Sequence, residues 1–154
     1  MEAWEFLLAG GGLYNNLDYS FTAGHEQGDF AYPQTQPGGG SATLRRQLRV
    51  LKEFLAGFDF VKMRPDQEVV RGGLQEGQRA RALAKAGKQY AIYVFGGKQA
   101  TLSLDLPAGT YAAEWVDPVT GAVARREKAQ TAEGAISLSS PDFDEDIALR
   151  IQRA

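Results

Sequence analysis

Near residue 60 the hydrophobic period of the chain changes, and that change constrains the fold more than any other feature of the sequence. Before it, apolar residues recur at helical spacing on either side of a polar, aromatic stretch; after it, they alternate with period two as far as the C-terminus. The two periods place side chains on incompatible surfaces, so no single element runs through the change. The expectation is a mainly β chain: a seven-stranded antiparallel β-sandwich over 61–154, preceded over 1–60 by a helix-strand-helix segment.

In the first piece, Trp4, Leu7 and Leu8 fall at i, i+3 and i+4, which predicts a helix over 2–9 stopped by Gly10-Gly11-Gly12. Leu17, Tyr19 and Phe21 then alternate with Asp18, Ser20 and Thr22, predicting a short strand over 13–22. Residues 23–43 hold the chain's single histidine, His25, and close on Pro37-Gly38-Gly39-Gly40-Ser41, a long loop. Thr43 is the expected N-cap of a second helix whose stripe is Leu44, Leu48, Leu51 and Leu55, with Gly57 closing it. Arg45, Arg46, Arg49, Lys52 and Glu53 fall on its other face and read as a solvated surface.

After a turn at Arg64-Pro65-Asp66, seven strands are expected: 78–85, 90–95, 100–106, 110–117, 122–129, 135–138 and 147–151. Turn signals such as Gly96-Gly97-Lys98, Pro107-Ala108-Gly109, Glu133-Gly134 and Asp117-Pro118-Val119-Thr120-Gly121 separate them; Pro118 suits a type I turn and Gly121 a positive φ. Tyr90 to Phe95 is apolar on both faces, which predicts a central strand covered on its outer side by the N-terminal helices. Tyr111, Ala113 and Trp115 share one face of a strand. Exposed, they would be a strip for sugar or protein; the sandwich pattern predicts that they are core.

Seventeen basic and nineteen acidic residues leave a net charge of -2, too little field to hold nucleic acid or an anionic membrane. No apolar run has bilayer length, and the first residues lack the basic start of a signal peptide. With no cysteine there is no disulfide, thiolate chemistry or cysteine-ligated zinc. His25 beside Glu26 and Asp29 supplies one imidazole, too few for zinc, and the acidic run Asp142, Asp144, Glu145, Asp146 lacks an EF-hand glycine and reads as a charged turn. The triple glycines lack the lysine and spacing of a phosphate cradle. No metal, cofactor or catalytic residue is therefore assigned. The one polar-aromatic concentration is Asn15, Asn16, Asp18, Tyr19, His25, Glu26 and Asp29. Planar bidentate groups beside an aromatic ring suit sugar hydroxyls; the alternative is that Asn16 and Asp18 cap turns, Tyr19 packs and the rest is solvated loop.

The run Trp4-Glu5-Phe6-Leu7-Leu8-Ala9-Gly10-Gly11, then Asn16-Leu17-Asp18-Tyr19-Ser20-Phe21, then the Pro-Gly-Gly-Gly loop and Leu44-Arg45-Arg46-Gln47-Leu48 resembles the closing segments of bacterial glycoside-hydrolase-like (β/α)8 barrels. Tyr90-Ala91-Ile92-Tyr93, Leu104-Asp105-Leu106-Pro107-Ala108-Gly109-Thr110-Tyr111 and Glu114-Trp115-Val116-Asp117-Pro118 are similar to the sandwich that follows those barrels, a family labelled "putative collagen-binding domain of a collagenase". The resemblance implies that 2–9, 13–22 and 44–55 correspond to the seventh helix, eighth strand and eighth helix of a barrel whose earlier strands lie outside this sequence. It implies exported relatives whose catalytic carboxylates sit on those earlier strands. The expected role is then a non-catalytic accessory module that packs against a catalytic barrel and binds carbohydrate or matrix protein. Asn16, Asp18, Tyr19, His25, Glu26 and Trp115 are its candidate sugar contacts. The alternatives are a hydrolase fragment active only with a separate chain supplying the rest of the barrel, or a relic without function. Trp4, Phe6, Leu17, Tyr19 or Phe21, left uncovered, would drive association through residues 1–60, with a barrel or with a second copy.

Overall fold

The computed structural model describes residues 2–31, 39–132 and 134–154. Helix α1 spans Glu2–Leu8 and α2 spans Ala42–Ala56. The strands are β1 Arg64–Pro65, β2 Val70–Gly72, β3 Arg79–Lys85, β4 Gln89–Phe95, β5 Thr101–Leu106, β6 Gly109–Val116, β7 Val123–Thr131, β8 Gly134–Ser139 and β9 Asp146–Arg153. They form a six-stranded sheet, order β1-β3-β4-β9-β6-β7, facing a three-stranded sheet, order β2-β5-β8, with every pairing antiparallel. This is the mainly β sandwich read from the alternation, with the seven expected strands present and two short ones added.

The core lies between the sheets. Tyr90, Ile92 and Val94 of β4 stand beside Ile151, Leu149 and Ile147 of β9, and Trp115 pairs with Leu149 across β6. Leu102, Leu104 and Leu106 close the cluster from the smaller sheet. Trp115 and Tyr111 are fully buried; the indole donates to Glu127 Oε1 at 3.1 Å and the phenol to the Pro107 carbonyl at 2.7 Å. The aromatic strip is core, and Trp115 has no ring face open to a sugar.

The other face of the six-stranded sheet exposes Leu83, Ala91, Tyr93 and Ala148, and the helices cover them. Trp4 of α1 stacks on Tyr93 at 5.5 Å with 17° between the ring planes and meets Phe54 of α2 at 5.0 Å. Arg150 of β9 pegs α2 down from below: its guanidinium lies 5.2 Å from the Phe54 ring and 5.6 Å from Phe58, and bonds Glu114 at 3.2 Å. The double-sided burial of β4 thus has the cause its sequence suggested.

Helix ends follow local chemistry. Gly10, at φ +97°, ends α1 with its N–H on the Leu7 carbonyl, while Gly11 N–H bonds Phe6. The N-cap of α2 is Ser41, whose hydroxyl accepts from Leu44 N–H at 3.0 Å, not Thr43, whose hydroxyl accepts from Arg46. Two further expectations need correction. Arg64-Pro65, read as a turn, is the edge strand β1 paired with Leu83 and Ala84, a place where proline's missing N–H is harmless. Residues 13–22 form no strand: Asp18 meets Gly39 in one isolated parallel bridge, and no other described strand lies alongside. Asp18 instead accepts from Ser20 N–H at 3.0 Å and from the Ser20 hydroxyl, an Asx turn that competes with extension. In the expected 23–43 loop, Pro37-Gly38 lies outside the described residues, as does Glu133 of the expected 133–134 turn. The hairpin at Asp117 is as read: Asp117 Oδ1 accepts from Val119 and Thr120 N–H, and Gly121 sits at φ +77°.

Candidate functional site

Between the 12–18 segment and the flank of the apolar stripe of α2 runs a groove of about 850 Å³. Its walls are mainly apolar, from Leu7, Leu13, Leu48, Leu51, Leu55 and Phe60, with Asn15, Asn16 and Asp18 along one rim. Leu13 is 80% exposed, Leu17 60% and Val61 81%. Beyond the 14–16 segment lies a smaller hollow of about 290 Å³, between the start of α1, the N-terminal half of α2 and the 117–119 hairpin. Asn16 borders both spaces. A third hollow of about 810 Å³ lies by the acidic run, lined by Lys98, Asp117, Asp142, Asp144, Glu145 and Asp146.

One half-buried clamp holds the groove's rim. Arg45 of α2 donates to Asp18 Oδ2 at 2.7 Å, to the Ser20 hydroxyl at 2.8 Å and to the Gly28 carbonyl at 2.9 Å, with its guanidinium 4.8 Å from the Phe21 ring. The Ser20 hydrogen bond is the largest effect on the Asp18 carboxyl and lowers it; burial, next in size, opposes this, and the Arg45 guanidinium helps hold the group below its ordinary range. Gly40 leaves no room for a side chain beside this carboxylate, and its φ of +149° suits glycine. Asp18 is therefore committed to a turn and an ion pair, and Arg45 is not the solvated cation its helix position suggested.

The remaining sequence candidates scatter. Tyr19 is 44% exposed, with its N–H on the Gly39 carbonyl. His25 Nδ1 lies 3.0 Å from Asp29 and its ring 5.2 Å from Phe30. Glu26 accepts from Gly24 N–H at 3.0 Å, which lowers its carboxyl pKa. Among the described residues, no group of three or more His, Asp or Glu side chains is placed to hold a metal ion. Only Asn16 borders the smaller hollow, in company with residues the pattern reading passed over, Glu2, Tyr14 and Gln47. Gln47 did carry a signal: it falls at i+3 from Leu44 and i-4 from Leu51, a polar residue on the apolar stripe of α2.

Behind the acidic hollow's Asp146, the buried Tyr93 donates its hydroxyl to that carboxylate at 2.6 Å. Burial raises the Asp146 carboxyl, the hydrogen bond offsetting only part, and burial together with that carboxylate holds the Tyr93 phenol protonated far into alkali.

A helix-capped antiparallel sandwich with an open apolar groove on its helical layer is the class of module these features define. Residues 64–149 match the family described as "Putative collagen-binding domain of a collagenase", more than half of the chain, and the chain belongs to that family. No curated protein matches it. Among solved structures, it is similar to a chain titled "Glycoside hydrolase", at 19% identity and TM-score 0.55 over 84% of this chain and 31% of that one. It is also similar to a glycoside hydrolase family 5 protein from Bacteroides vulgatus ATCC 8482, at 20% identity and TM-score 0.51 over 70% of this chain and 24% of that one. At these identities the likeness is one of fold, and this chain spans about a third or less of their length. With only five residues after 149, a likeness covering 84% of the chain takes in part of 1–63 as well as the sandwich.

Proposed function

We propose that this chain is a non-catalytic accessory module of a glycoside-hydrolase-like protein, in which 61–154 is the sandwich and 1–60 the face that packs against a catalytic barrel. The observation that carries this is the half-covered helical layer. α1 and α2 bury Trp4, Leu8 and Phe54 on the sheet, yet the flank of the same apolar stripe, Leu44, Leu48, Leu51 and Leu55, lines an apolar groove with Leu13, Leu17 and Val61 beside it in water. Apolar surface of that kind is retained where another protein surface covers it. A barrel is the partner that fits, because the fold shared with much longer glycoside hydrolase chains extends into 1–63. The module's own contribution is binding of carbohydrate. Collagen, which the family's description names, is the protein ligand to set against it.

The test is co-sedimentation of the purified chain with insoluble cellulose, chitin, xylan and collagen fibrils, with soluble reducing sugar measured in the same tubes. Retention on a polysaccharide without sugar release is expected. Sugar release by the chain alone overturns the non-catalytic reading. Retention on collagen only, or on nothing, overturns carbohydrate binding.

A further inference from the structure

We infer that the smaller hollow, between α1, the 14–16 segment, α2 and the 117–119 hairpin, is a binding site for a single uncharged sugar ring; this rests on the carbohydrate reading above and locates it. At about 290 Å³ the space is near the lower limit of small-molecule pockets, roughly 300–1,000 Å³, so it suits one ring or a chain end and not an extended glycan. Leu44, Leu48, Pro118 and Val119 supply apolar wall, which suits the C–H face of a pyranose, while the Trp4 indole, 3% exposed and stacked on Tyr93, offers no open ring face.

The polar groups select the ligand. Asn16 and Gln47 both line the space, and the side-chain amide of neither makes a hydrogen bond to another described residue. Nearby polar side chains are spent: Asp18 on Arg45 and Ser20, and Asp146 on Tyr93. Each amide offers an acceptor and two donors from one plane, the complement of adjacent hydroxyls. The charged side chains lining the hollow are carboxylates, Glu2 and Asp146, with no Lys, Arg or His among them. An anionic ligand such as a uronate, sulfate or phosphate would meet like charge here, while the two carboxylates already accept from Tyr14 and Tyr93, so the open polar groups are neutral amides and an uncharged sugar fits them.

The experiment uses the full chain, labelled with ¹⁵N, titrated to millimolar concentrations with glucose, galactose, mannose, xylose and N-acetylglucosamine, and separately with glucuronate and glucosamine. The readout is the side-chain NH₂ signals of Asn16 and Gln47. A saturable shift of both is expected for at least one neutral sugar, with affinity for glucuronate at least tenfold weaker. Asn16→Ala and Gln47→Ala should each weaken binding severalfold with the backbone spectrum otherwise preserved, and Gln130→Ala, on exposed β7, should not. No saturable shift for any neutral sugar overturns the site, as does unchanged affinity in both variants. Glucosamine binding without glucose overturns the assignment to uncharged sugars. Polysaccharide retention that survives both substitutions overturns this pocket and leaves the accessory reading standing; loss of retention in both supports the two together.

Discussion

Replacing Trp4 by alanine tests whether the helical layer and the sandwich are one cooperative unit. Trp4 is 3% exposed and meets two rings, Phe54 at 5.0 Å and Tyr93 at 5.5 Å. Each aromatic contact contributes about 0.5–1.5 kcal/mol beyond area burial, and truncating a buried tryptophan to alanine costs about 3–5 kcal/mol in all. Because α1 has only seven residues, it can settle into part of the hole, which favours the lower end, about 3 kcal/mol. The loss has a ceiling, since once α1 leaves the sheet nothing further is lost through Trp4. The chain's two tryptophans make the assay specific: Trp115 lies between the sheets and Trp4 between helix and sheet. In Trp115→Phe, indole fluorescence reports the helical layer alone, while far-UV circular dichroism is dominated by the strands. In urea the two signals should share one midpoint, and Trp4→Ala should lower the unfolding free energy by about 3 kcal/mol. Fluorescence lost well before the dichroism, with Trp4→Ala costing less than about 1 kcal/mol, would refute the reasoning and make 1–60 a separately folding piece.

Three further outcomes are expected. Ser41→Ala should destabilise the chain by about 1 kcal/mol in denaturant titration and Thr43→Ala by much less, since Ser41 caps the Leu44 N–H; the reverse order would return the cap to Thr43. Asp146 is raised by burial, so as pH increases the unfolded chain loses this proton first, from about 3.9, and stability falls until the folded carboxyl ionises. Asp146→Asn should flatten that part of the stability–pH curve, and an unchanged slope would refute the burial argument. With Leu13, Leu17, Tyr19, Phe21 and Val61 exposed, light scattering should show self-association at high protein concentration when no barrel is present, weakened in Leu13→Ser/Val61→Ser; a strictly monomeric mass throughout would sink it.

What could be read from the sequence was what neighbouring residues settle among themselves. Alternation at Leu102, Leu104 and Leu106 marks a strand with one dry face wherever that strand lies, and the Leu44 to Leu55 stripe marks a helix. The two-sided apolar run at Tyr90 to Phe95 even announced a covering layer. The candidate site was less legible. Asn16 stood out by type, but its company of Trp4, Gln47, Pro118 and Asp146 comes from four separate parts of the chain.

The sequence by itself determined the mainly β class, the seven principal strands, the second helix and the burial of Trp115, because periodicity and turn chemistry act over a few residues. Only the tertiary structure decided the strand order, the capture of Arg64-Pro65 and Val70–Gly72 as short strands, and the turning of 13–22 away from strand. The physical reason is that a strand exists only with a partner, and its partner is set by long-range packing. Leu13 to Thr22 has a strand's alternation but no ladder to join, so its polar groups go to Asp18, Ser20 and Arg45 instead.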